Sequence, residues 1–120
     1  MHDSLRTFEH HRLDAYAVAL EALKGAEEIA KALPRGYGAM ADQVRRASQS
    51  AFLQLAEGVA RSGGERAMRL RGARAEASEA AAGIEGLLVL GVVQRVEAER
   101  VIGLLGRLCA MLVRLESVRR

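Results

Sequence analysis

The fold class this chain predicts is an all-α, antiparallel up-down four-helix bundle, and three observations lead there. Apolar residues recur at steps of three and four through four separate stretches. Those stretches are joined by only a few residues each, which favours antiparallel neighbours. No alternating β-branched run bounded by turn residues points to a strand. The 120 residues support one domain, spanning 1–120, with a single core. Half the residues are apolar, yet Phe8, Tyr16, Tyr37 and Phe52 are the only aromatics, so the core must be built from Leu, Val, Ile and Ala.

The first helix is expected from about Ser4 to Leu33, where Leu5, Phe8, Tyr16, Leu20, Leu23, Ala26, Ala30 and Leu33 keep the helical period. Pro34, the one proline, stops it, and Arg35-Gly36-Tyr37-Gly38 makes a short connection. A second helix is expected over Ala39 to Ala60, with Met40, Val44, Ala47, Ala51 and Leu55 as its apolar stripe. Arg61-Ser62-Gly63-Gly64-Glu65 interrupts the pattern. Ser62 and Glu65 have capping-box spacing, which places the start of the third helix there.

The third helix carries the clearest seam: Leu70, Ala73, Ala77, Ala80, Ile84, Leu87 and Gly91 alternate steps of three and four. Gly91 is placed as its C-terminal glycine. The fourth helix is expected from Val96 to Val118 on the seam Val101, Leu105, Leu108, Leu112 and Leu115. It is also apolar off that seam, at Ile102, Leu104, Met111, Val113 and Val118, more than one partner surface covers. Seven glycines fall inside expected helices, each at about 1 kcal/mol relative to Ala. Close helix crossings would offset that, in particular along Gly103, Gly106 and Ala110.

Net charge is +3 and unevenly placed: residues 1–34 hold four basic and six acidic side chains, 35–74 eight and three, and 75–120 six of each. The basic excess therefore sits in the middle of the chain, where it bears on partner choice. Cys109, the single cysteine, lies in an apolar run and reads as an inert core thiol in a reducing, cytoplasmic setting. The start, Met1-His2-Asp3-Ser4, lacks the pattern of a secretory leader. The longest apolar run, Leu87 to Val93, is far too short for a membrane span.

Gln43, Arg46 and Glu57 recur on one face of the second helix. Asp42 with Arg46, and Glu57 with Arg61, have i,i+4 spacing. Such a strip serves either RNA or a partner, or a hydrogen-bonded network between helices or subunits; for Glu57 and one arginine the structural use is favoured. Arg61, Arg66, Arg69, Arg71 and Arg74 crowd one helix end, and together with Arg45 they are the candidate contacts to nucleic-acid phosphates. No aromatics interleave with them for base stacking, so any binding would be electrostatic. No catalytic residue, metal site or cofactor is expected. His10 and His11 point about 100° apart on a helix, Ser48 and Ser50 lack a base on their face, and Ser62-Gly63-Gly64 lacks a P-loop ending.

Gln43, Arg45-Arg46-Ala47, Ser50, Ala56-Glu57-Gly58 and Arg61, with Tyr37-Gly38 before them and Glu65, Ala73-Arg74 and Glu79 after, carry a family resemblance. The pattern resembles the four-helix-bundle family first noticed as reading frames in intervening sequences of bacterial large-subunit ribosomal RNA genes. Ala51-Phe52-Leu53-Gln54 stands where that family has Ile-Pro-x-Asn, so a straighter second helix is expected here. The resemblance implies a homo-oligomer, typically a homopentamer. It also extends to the accessory (Avd-like) proteins of diversity-generating retroelements, whose basic pentamer binds reverse transcriptase and nucleic acid. Two functions are therefore expected to compete: a non-enzymatic homopentameric scaffold or adaptor, and an accessory protein binding RNA or DNA, beside a reverse transcriptase, through an arginine rim.

Overall fold

A computed structural model describes Phe8, His10 and residues 13–117. Four helices follow in order: α1 Asp14–Lys31, α2 Gly38–Val59, α3 Gly63–Val89 and α4 Arg95–Ser117. No strand occurs among the described residues. Each helix packs against its neighbours in sequence, and α1 closes the ring on α4. Contacts between α2 and α3 run in opposite senses along the two helices: Val44 meets Gly83, Gln54 meets Gly72, and Gly58 meets Leu70. The result is the expected antiparallel bundle, 45 × 31 × 20 Å.

The core follows the sequence seams. On α3, Leu70, Ala73, Ala77, Ala80, Ile84 and Leu87 are all fully buried, and on α4 so are Val101, Leu105, Leu108 and Leu112. Alanine in the middle of the α3 seam keeps the helices close. At Gly25 an added β-carbon would lie 2.6 Å from Val101 Cγ2, and at Gly83 one would lie 2.9 Å from Val44 Cγ2. At these glycines, as at Gly58 and Gly72, the backbone of one helix presses on a side chain of another.

The α3 ending is a Schellman motif. The Gly91 N–H donates to the Leu88 carbonyl at 3.0 Å and the Val92 N–H to the Leu87 carbonyl at 3.2 Å, with Gly91 at φ 76°. The start of α3 differs from expectation. Ser62 takes the N-cap position with extended backbone but its hydroxyl makes no capping bond. The Glu65 carboxylate accepts from Arg61 Nε at 3.0 Å, a charge-assisted bond that displaces the reciprocal arrangement of a capping box.

The first helix also differs. It begins at Asp14, after an extended Leu13, and ends at Lys31. Residues 4–7, 9, 11 and 12 of the expected segment lie outside the described residues, as does Val118. The Leu13 N–H donates to the His10 carbonyl at 3.2 Å, a bond spanning three residues and so a tighter turn than α-helix. The His10 ring lies 4.6 Å from that of Tyr16, which lies 5.6 Å from that of Phe52.

Candidate functional site

The polar strip lies along the outer seam between α2 and α3. Gln43 Nε2 donates to Glu79 Oε1 at 2.8 Å, and Arg46 Nη2 donates to Gln43 Oε1 at 2.8 Å. One turn further along, Gln54 Nε2 donates to Ser50 Oγ at 3.0 Å. Gln54 fits over Gly72, where a β-carbon would collide with its amide. Glu76 is held above the usual carboxylate range, chiefly by its hydrogen bond with Glu79 and then by burial; Ser50 and the charge of Arg46 pull it the other way. Glu57 stands apart from Gln43 and Arg46, 3.7 Å from Arg69 Nη1. Between the two groups is an open cleft of about 510 Å³, lined by Arg46, Gln49, Ser50, Leu53, Gln54, Glu57 and Arg69.

The structure does not bring the six candidate arginines together. Arg45 turns toward α1 and donates through Nε and Nη2 to both oxygens of Glu27, at 2.7 and 3.1 Å. The Arg45 hydrogen bond is the main cause of holding the Glu27 carboxyl below its ordinary range. Arg74 turns toward α4 and grips Glu116 in the same two-pronged way, at 2.8 and 3.2 Å, which raises the guanidinium's affinity for its proton. Arg61 donates to Glu65 and, at 2.8 Å, to the Glu57 carbonyl. Arg66 is 5% exposed and Arg69 pairs with Glu57, which leaves Arg71 as the one of the six that is exposed.

Sequence reasoning missed Glu76 and Ser50 as members of the seam. Their signal is geometric: Glu76 and Glu79 are three residues apart on α3, on the side that meets α2. Cys109 is half-buried, with its sulfur 3.7 Å from both Ser78 Oγ and the Arg74 carbonyl. Among the described residues no group of three or more His, Cys, Asp or Glu could hold a metal ion. No helix among them is long and apolar enough to cross a membrane.

The outer side of α4 is the second candidate surface. Val96 is 82% and Val113 52% exposed, while Ile102, Met111 and Leu115 are only half-covered. Gly103 and Gly106 were expected at a tight crossing, but a β-carbon at either would meet no atom of the described residues within 4 Å. Both lie on the side of α4 turned away from α1 and α3, with Ala110 exposed beside them. The class the fold and these surfaces define is an all-helical bundle whose polar groups are mostly tied to one another. No protein-family model matches the chain, and no curated protein matches it.

Proposed function

We propose that this protein is a non-enzymatic, homo-oligomeric scaffold or adaptor of the cytoplasm, with five copies as the resemblance to the intervening-sequence family implies. The observation that carries the reading is the outer side of α4. It exposes Val96 and contains Gly103, a glycine that weakens the helix although a β-carbon there would meet no described atom within 4 Å. A neighbouring copy lying on that side would account for both. Light scattering after size exclusion tests the assembly: a particle of several chains is expected, and one of 13.0 kDa at micromolar concentration overturns it.

The second reading is a nucleic-acid-binding accessory protein and partner of a reverse transcriptase, and its support is Arg71, the exposed member of the arginines in the first turns of α3. The ion pairs of Arg45, Arg61, Arg69 and Arg74 and the burial of Arg66 weigh against it. Fluorescence anisotropy with labelled RNA and DNA at rising salt decides: phosphate contacts weaken steeply with salt. Binding that Arg71→Glu leaves unchanged would rule out the rim.

A further inference from the structure

On the face shared by α3 and α4, opposite charges stand at equal distances from the middle of α3's exposed row, and what this implies goes further than the oligomeric scaffold on which it rests. Along α3 the exposed positions step by three and four through Arg71, Ala75, Ser78, Ala82, Glu85 and Val89. Arg71 and Glu85 lie seven residues to either side of Ser78, and the small Ala75 and Ala82 flank it three residues before and four after. Arg71 and Glu85 are exposed and neither forms an ion pair with a described residue. Beside this row, α4 contributes Ile102, Gly106, Cys109 and Val113, and Cys109 reaches Ser78 at 3.7 Å, so Ser78 and Gly106 lie at about the same level of the bundle.

We propose that this α3–α4 face is a two-fold interface with a second copy of the chain, packed antiparallel about an axis crossing the face at Ser78 and Gly106. Arg71 of each copy then meets Glu85 of the other, so both charges gain partners they lack among the described residues. The opposite, parallel arrangement brings the basic end of one copy beside the basic end of the other and loses both pairs. Small side chains at the centre, Ala75, Ser78, Ala82 and Gly106, let the two backbones approach closely, and Val89 and Val113 are covered at the ends. From Arg71 to Val89 the face is about 27 Å long at 1.5 Å per residue, and two helices side by side make it about 18 Å wide. Two such faces in contact hide roughly 1,000 Å², the size at which specific interfaces begin.

A two-fold contact requires an even number of chains: two on its own, or ten if it joins two five-membered rings back to back. The test compares the wild-type chain with Gly106→Leu, with Arg71→Glu, with the exchange Arg71→Glu/Glu85→Arg, and with Ser78→Cys in a Cys109→Ala background. Gly106→Leu leaves the bundle folded by circular dichroism, because its side chain enters open space, and halves the wild-type mass in light scattering. Arg71→Glu weakens assembly at least tenfold and the exchange restores it. Ser78→Cys, sitting on the axis, cross-links to itself when diamide takes up the two protons and two electrons of the thiol pair, giving a covalent dimer on a non-reducing gel. An assembly of several chains whose mass ignores Gly106→Leu and which forms no Ser78→Cys cross-link overturns the two-fold face and leaves the scaffold reading standing. A wild-type chain of 13.0 kDa overturns both.

Discussion

Gly25 and Gly103 sit inside helices of the same bundle and should respond in opposite ways to the same change. At Gly25 the new methyl group would press on Val101 at 2.6 Å, so Gly25→Ala is expected to destabilise by about 1–3 kcal/mol, the range for overpacking. At Gly103 no atom of the described residues lies within 4 Å, and Gly103→Ala should stabilise the isolated chain by roughly 0.5–1 kcal/mol through helix propensity alone. Urea unfolding of both variants at several protein concentrations separates folding from assembly, since only assembly depends on concentration.

Glu27 and Glu76 make the same contrast for charge. Glu27 is held low by Arg45, so its stabilising contribution is present above the ordinary carboxylate range and is lost as pH falls through its lowered value. Glu76 is held high beside Glu79, so its contribution is full below the unfolded carboxylate value and is lost as pH rises through the raised one. Glu76→Gln should therefore stabilise the protein at pH 7 by a few tenths of a kcal/mol, the scale of like-charge repulsion at helical spacing. The gain should vanish near pH 4. Thermal melts at the two pH values check the sign.

At the scale of the element, α3 depends on a seam of small and medium side chains with no exposure at all. Leu87→Ala is expected to cost about 2–5 kcal/mol, since the tightly packed neighbours cannot collapse into the space. Just beyond it, Gly91→Ala places a side chain at φ 76°, a strain of about 1–2 kcal/mol. Both are measurable as shifts in denaturant midpoint.

The three- and four-residue steps of α2, α3 and α4, and the stop at Pro34, were legible in the sequence because burial imposes them locally. The onset of α1 was not, because the periodic pattern continues upstream of the extended Leu13. The partners of the candidate arginines were not legible. Arg45 takes Glu27 and Arg74 takes Glu116, pairs 18 and 42 residues apart that exist only once helices pack. Even the local pairs shifted: Asp42 lies 3.9 Å from Arg45, and Arg46 bonds to Gln43.

For the whole molecule, the principal packing is between helices adjacent in sequence, with α1 on α4 the main closure that brings distant segments together. Contacts of that kind ask little loop-closing entropy of the chain, and helical proteins built on them fold in microseconds to milliseconds. Refolding of the isolated chain should be a single fast exponential. If the α1–α4 junction closes after the rate-limiting step, substitutions there such as Gly25→Ala act mainly on the unfolding limb, and a slowed folding limb for Gly25→Ala would place the junction in the transition state instead.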